Sequence, residues 1–474
     1  MTPNPLEPDP ETLKRWTDTV VTYALDHVAG LSRMPSWDTE GADAVVRAMH
    51  EPVPEKGRAL EDVLARLDPA VTKSFNAAGP GYLAYIPGGG IPTAGLADLI
   101  ACFTNRFVNA TPPAPALAEI EKVTLGWLAQ IMGMPDGANG VFTSGGSISN
   151  LAAIVAARVA LLGEEFADGV MYFSEDTHAC IPKAAKIAGF PERAFRRVPV
   201  DARRRLVVAD LERMIADDKA AGRRPFLVVA NAGTTNTGAV DPLPEMLAIA
   251  RRHGLWAHAD AAYGGFFRIA ERGETLLPAI GDYDSMTLDP HKGLFLPYGT
   301  GVLLMRDPEA LRRAHRSSAA YLQDVTTDQP LGFTDYSPEL SRDFRGLRLW
   351  LPFQVHGVAA FRAQLTEKLA LARRAYDALR SEPLLAMVDE PQLSIVAFSA
   401  RPPAGHALDA NAFGAELLRR VNARKRVFMS STTIEGRYVL RICVLSFRTH
   451  EERIDDAVTG LLEEARALAA GVVA

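Results

Sequence analysis

The sequence predicts an α/β protein: a mostly parallel sheet with helices on both faces, followed by a small C-terminal α/β domain. Three observations predict it. Between residues 89 and 310, short apolar runs alternate with longer stretches of helical periodicity. The first run passes into a helix through a Gly/Ser turn, and the last hundred residues return to strand-like runs separated by helical ones.

Taken in order, residues 11–31 carry apolar residues at helical spacing. A Pro-containing stretch (Pro52, Pro54) and a second helical pattern over Ala59–Leu67 follow. These form an expected N-terminal helical segment, 1–88. The large α/β domain is expected over 89–370. Its strands are NGVFTS (139–144), GVMYFSED (169–176), FLVVANAG (226–233), LWAHADAA (255–262), SMTLDP (285–290) and GVLLMR (301–306), each an apolar run of strand length. Residues 317–341 are irregular and polar with Pro and Gly, which predicts a long functional loop. Helical periodicity resumes at Leu347 and runs to about Arg380. Within 371–474, LSIVAFSA (393–400) and YVLRICVLSF (438–447) read as strands of a small C-terminal domain.

Composition bounds the function. Hydrophobic residues make up 48% and charged residues 23%, the balance of a chain that folds throughout. A net charge of −6 argues against a nucleic-acid backbone as main partner, because that binding needs concentrated Lys and Arg. Cys102, Cys180 and Cys443 show no CxxC spacing, so neither a disulfide framework nor a metal site is expected, and a reducing cytoplasm is. The opening TPNPLEPDPE lacks the basic and apolar regions of a signal peptide. No membrane span is expected, since even LAAIVAARVALLG (151–163) is short and broken by Arg158.

The chemistry begins at Thr143–Ser147. This run follows a strand and opens a helix marked by Leu151, Ile154, Val155, Val159 and Leu162. Free N–H groups at such a helix start suit a phosphate, although a Ser-capped turn gives the same pattern. Neither the P-loop nor the dinucleotide pattern is present. Asp260 ends LWAHADAA at the sheet edge where open α/β folds bind ligands, a position where Asp also caps helices. Lys292 follows the next strand; alone, a Lys is ordinarily a solvated surface residue. The set changes the reading. A phosphate-binding turn, a strand-end acid and a strand-end Lys are what a pyridine ring bearing a phosphate and an aldehyde needs.

TSGGSISN (143–150), SEDTHACIPKAAKIAG (174–189), NAGTTNTGAVDPL (231–243), HADAAYGG (258–265) and DPHKG (289–293) resemble, in order and spacing, the fold-type I, group II pyridoxal-phosphate amino-acid decarboxylases. This is the family of the aromatic-amino-acid and glutamate enzymes. FRGLRLW (344–350) and YVLRICVLSFRT (438–449) extend the resemblance into the C-terminal third. It implies the PLP-dependent transferase-like fold with a seven-stranded sheet, the cofactor pyridoxal 5'-phosphate, and a homodimer with its active site at the interface. It also implies that Lys292 holds the cofactor covalently and that Asp260 pairs with the pyridine nitrogen. By the same resemblance His178 stacks on the ring, Ala262 packs on its other face, Gly146, Ser147 and His291 hold the phosphate, and Thr235 sits beside the covalent link. Tyr321, in SSAAYLQD, matches the loop tyrosine that protonates the α-carbon. GYLAYIP (81–87) resembles the substrate-pocket segment, which makes Tyr85, Ile86 and Pro87 pocket candidates; core packing accounts for them equally.

The implied reaction is decarboxylation of an L-amino acid, with an aromatic or other hydrophobic side chain favoured. An aldehyde synthase, an aldol-type lyase, a transaminase and a catalytically silent regulatory paralogue are the alternatives, and the retained Lys292, Asp260 and His178 argue against the last. The sequence departs from the family pattern in three places. Gly88 opens a GGG run where the aromatic-acid enzymes have Thr, Asp289 replaces Asn, and Gly293 with LPYGTG (296–301) replaces bulkier residues. Arg342 and Arg345 either meet a substrate carboxylate or form structural ion pairs.

Overall fold

The computed structural model describes residues 6–86, 88–316 and 332–471. Pro87 and Tyr321 lie outside them. The described strands are β1 (Tyr82–Leu83), β2 (Asn139–Thr143), β3 (Gly169–Ser174), β4 (Phe195–Val198), β5 (Arg224–Asn231), β6 (Trp256–Asp260), β7 (Ser285–Leu288), β8 (Gly301–Met305), β9 (Leu385–Met387), β10 (Ile395–Ala400), β11 (Phe428–Ile434) and β12 (Arg437–Cys443).

Seven of them form the large sheet, in the order β2-β8-β7-β6-β5-β3-β4. β8 pairs antiparallel with both neighbours, and every other pair is parallel, so six strands run one way and β8 alone opposes them. The six expected runs are β2, β3, β5, β6, β7 and β8. Their continuous apolar character follows from helices covering both faces: Phe226–Ala230 of β5 are all fully buried. Each Phe, Leu or Val side chain among them, removed from water, stabilises the fold by about 1.5–3 kcal/mol.

Register positions the site. Asn231 of β5 pairs with Asp260 of β6, and Asp260 pairs with Thr287 of β7, so three strands end together at one sheet edge. The turn after β7 carries Lys292 to that edge. Helix Gly146–Leu161 packs across β5–β8. Its buried face is Gly146, Ser149, Asn150, Ala152, Ala153, Ile154, Ala156 and Ala157, and these mostly small residues let its backbone approach the strands closely.

The smaller sheet has the order β1-β11-β12-β10-β9. β1 comes from the N-terminal part yet pairs parallel with β11, Tyr82 opposite Phe428 and Leu83 opposite Met429. Helix Arg345–Leu379 bridges the two cores, with Phe361 and Leu365 in the larger and Leu371, Ala375 and Leu379 in the smaller. It breaks at Gly357, whose φ of 69° and ψ of 154° only glycine adopts readily. Helices Pro10–Gly30, Ala42–Met49 and Leu60–Thr72 bury no residue and leave Trp16, Val20, Leu25, Val46, Val63 and Leu67 exposed. No helix among the described residues is long and apolar enough to cross a membrane.

Candidate active site

Lys292, Asp260, His178, Gly146, Ser147, Thr235, Ala262 and His291 line one cavity of about 310 Å³, together with Asn150, Asn231, Thr234 and Asp289. Eight residues spread over 147 positions of sequence thus converge because β2, β3, β5, β6 and β7 end at one edge.

The Gly/Ser turn forms one wall. Gly145 has φ 150°. A Cβ on Gly146 would lie 3.1 Å from Asp289 Oδ2 and 3.3 Å from Ala262 Cβ, tighter than ordinary packing. A side chain there would fill the cradle. The N–H groups of Gly146 and Ser147 stand in the first helical turn, where no intrahelical acceptor exists, and the helix dipole adds partial positive charge. His291 Nδ1 bonds the Thr300 carbonyl at 2.7 Å, which fixes the ring beside this turn. Burial lowers the His291 pKa, against the opposing pull of Asp289.

Lys292 Nζ lies 2.8 Å from Asp289 Oδ2. Burial pushes its pKa down, but the carboxylates of Asp289 and Asp260 outweigh that and hold it above the ordinary lysine value. Asp289 Oδ1 is buried without a partner among the described residues. Asp260 is 7% exposed, and burial raises its pKa against the opposing charge of Lys292. It accepts N–H bonds from Ala262 and from Asn150 Nδ2, both at 3.2 Å.

His178 follows β3 and is open to the cavity, its Nδ1 accepting the Cys180 N–H at 3.2 Å. Beneath it, Asn231 Nδ2 reaches Ser174 Oγ, Thr177 Oγ1 and Asp241 Oδ2, which ties the His178 turn to the end of β5. Burial raises the Asp241 pKa to about 6 despite the N–H groups it accepts. Arg441 of β12 is buried and donates to the carbonyls of Thr235, Asn236 and Tyr85 and to Ser430 Oγ, fastening the Thr235 loop to the smaller sheet. Sequence reasoning missed Asn150, Asn231 and Arg441 as contributors. All three stand inside the quoted motifs, but their partners are distant in sequence.

Tyr85 and Ile86 do not line this cavity. Tyr85, at φ 53°, is 55% exposed and bonds Ser430 Oγ through its N–H, while Ile86 belongs to the larger core. Gly88 has a steric reason: a Cβ there would collide with the His291 carbonyl oxygen, so the chain can pass the Lys292 turn only as glycine. Arg342 pairs with buried Glu121, and Arg345 pairs with Glu339 at 2.7 Å and Asp343 at 2.8 Å. Both arginines are therefore committed to ion pairs.

The donor set fits pyridoxal phosphate. Helix-start amides answer the phosphate, the Asp260 carboxylate answers a pyridine nitrogen, the Lys292 amine answers an aldehyde, and the Gly146 cradle leaves room for the group. The comparisons agree. The family described as "Pyridoxal-dependent decarboxylase conserved domain" matches residues 44–401. The chain is 34% identical to an aromatic-L-amino-acid decarboxylase of Bacillus atrophaeus over 92% of this chain and 91% of that one. It is 28% identical to a phenylacetaldehyde synthase of Petunia hybrida, over 95% and 93% of the two chains. The crystal structure of Oryza sativa TDC with PLP and tryptamine superposes with a TM-score of 0.91 at 26% identity, covering 98% of this chain and all of that one. With the geometry and the matches in agreement, the chain belongs to the family of pyridoxal-phosphate-dependent decarboxylases.

Proposed function

We propose that this enzyme decarboxylates an L-amino acid with an aromatic or other hydrophobic side chain, giving the amine and carbon dioxide, and works as a cytoplasmic homodimer. The observation that carries the reading is the convergence of Lys292, Asp260 and the Gly145–Ser147 turn on one cavity. When bound, the cofactor supplies a protonated pyridine ring that accepts the electron pair left at the α-carbon as carbon dioxide departs.

The chain's own residues do the rest. Asp260 holds the proton at the ring nitrogen. The N–H groups of Gly146 and Ser147, with His291, anchor the phosphate. Lys292 would hold the cofactor covalently through its amine, and its ion pair with Asp289 at 2.8 Å orients that amine at the mouth of the turn. His178 and Ala262 would cover the two faces of the ring, and Thr235 would stand near Lys292. Tyr85, Ile86 and Pro87 are proposed to line the substrate side-chain pocket, and Tyr321 to donate the proton to the α-carbon. The exposed apolar residues of the first three helices support a dimer, since their uncovered faces match the kind of surface a second subunit buries.

The Petunia hybrida relative favours a second reading, an aldehyde-forming reaction on the same fold. One product balance separates the two. The holoenzyme is incubated with common L-amino acids in air and under nitrogen, and amine, aldehyde, ammonia and carbon dioxide are measured. Amine equal to carbon dioxide under both atmospheres is expected; aldehyde and ammonia as main products in air would overturn the decarboxylase reading. In the same assay Tyr321→Phe is expected to release carbon dioxide while losing amine to aldehyde in air, and an unchanged amine yield at the wild-type rate would exclude Tyr321 as the donor.

A further inference from the structure

Asn150 brings to Asp260 more than its own hydrogen bond. Its Oδ1 lies 2.8 Å from His258 Nε2 and accepts from Thr287 Oγ1 at 2.7 Å, while its Nδ2 donates to Asp260 Oδ2 at 3.2 Å. His258 Nδ1 in turn lies 2.7 Å from Ser285 Oγ, and Ser285 Oγ accepts Trp256 Nε1–H at 2.8 Å. Asn150, His258, Ser285 and Thr287 are fully buried, so no solvent competes for these bonds. His258, Ser285, Thr287 and Trp256 do not line the cavity.

The chemistry of the ends sets the direction of the chain. An indole N–H can only donate, and a carboxylate can only accept. With the Asn150 amide nitrogen facing Asp260, Oδ1 must receive the His258 Nε2 proton. Nδ1 is then bare and accepts the Ser285 hydroxyl proton, while Ser285 accepts from Trp256. Every bond runs from donor to acceptor towards Asp260. A proton on Asp260 Oδ2 would meet the Asn150 N–H head-on, and Oδ1 already accepts the Ala262 N–H, so both oxygens face donors and the charged form makes the stronger bonds. Burial of His258 holds its imidazole neutral, with a pKa lowered to about 3, which the single Nε2 proton requires. Burial pushes Asp260 towards its neutral form, and the charge of Lys292 and the Ala262 N–H oppose that push; the Asn150 N–H, a donor to the charged form, acts in the same direction.

We infer that Trp256, Ser285, His258, Thr287 and Asn150 form a one-way hydrogen-bond chain behind the site that holds Asp260 as a carboxylate aimed at the pyridine nitrogen of the bound cofactor. His258 and Asn150 are positioning residues, acting through Asp260. The inference rests on the reading of Asp260 as the partner of that nitrogen, and the test separates the two.

The cofactor-free protein is titrated with pyridoxal phosphate and with its 1-deaza analogue, which keeps the aldehyde and phosphate but carries C–H in place of the ring nitrogen. Wild type is expected to prefer pyridoxal phosphate by roughly tenfold or more, because a carboxylate facing C–H is left unpaired. His258→Leu removes the Nε2 donor at similar volume and is expected to cut that preference to about threefold or less, whereas His258→Gln, which keeps a donor near that atom, retains it. Thr287→Val removes the second donor to the same Asn150 oxygen without changing shape. It reports on the chain if His258→Leu fails to fold. A wild type with no preference overturns the Asp260 reading and this inference with it. A wild-type preference that persists undiminished in Thr287→Val, and in His258→Leu where that variant folds, overturns the inference alone.

Discussion

His258 is a neutral imidazole sealed inside the sheet, and its burial has a consequence for acid stability. Its pKa falls from 6.5 to about 3 on folding, chiefly by desolvation. A folded pKa below the unfolded one means that the unfolded chain binds the extra proton. The stability contributed is therefore fully present above pH 6.5 and is lost as pH falls towards 3. Between pH 7.5 and pH 5 the wild type should lose about 2 kcal/mol relative to His258→Gln, whatever the constant offset between the two proteins. Urea unfolding at the two pH values measures it, and parallel losses would contradict a buried neutral His258. At this scale the sequence was legible where a residue's role is announced by its neighbours. Asp260 ends an apolar strand run and Lys292 closely follows one, each inside a recognisable motif. Asn150 and His258 also stand in such motifs, but what they do depends on each other across 108 positions, and no local pattern shows that pairing.

The elements that read clearly were those whose signal is local. β3, β5 and β6 are bounded apolar runs because helices bury both of their faces, and each run alone satisfies the pattern. β1 is two residues long and its partner β11 lies 346 positions away, so nothing in its own residues reveals the parallel pairing. The stretch from Leu347 to Arg380 reads as one helix because Gly357 interrupts the backbone without interrupting the apolar periodicity. The GGG segment is a case where structure explains a departure that sequence could only record. Gly88 passes against the His291 carbonyl, while Gly90, at φ 60°, has nothing within 4 Å of a Cβ. Gly88→Ala should displace the Lys292 turn and lower bound cofactor per subunit by roughly tenfold or more, by analogy with a forced backbone shift in a packed site. Gly90→Ala should cost only about 1–2 kcal/mol of stability, the strain of a left-handed alanine, with cofactor content unchanged. Cofactor absorbance per subunit and thermal melting distinguish them; equal cofactor content in the two variants would show that Gly88 does not support the lysine turn.

On the scale of the whole molecule, two sheets, a bridging helix and an N-terminal strand paired into the smaller sheet serve to bring one edge of the large sheet against residues of the smaller one. Arg441 is the clearest link, since from β12 it grips the loop that carries Thr235. The family and cofactor were legible because the five motifs keep their order along the chain; the substrate was not, because those motifs hold the cofactor, while the pocket candidates Tyr85, Ile86 and Pro87 fit core packing equally well. The central claim is that this assembly makes one site for pyridoxal phosphate, with Lys292 as its covalent anchor. Among ten lysines in the chain, only Lys292 lines the cavity with the phosphate turn and Asp260. Borohydride reduction of the holoenzyme followed by peptide mapping tests this most directly. The account predicts a single reduced pyridoxyl adduct on Lys292, and loss of that adduct in a folded Lys292→Ala variant without turnover; an adduct on any other lysine would contradict it.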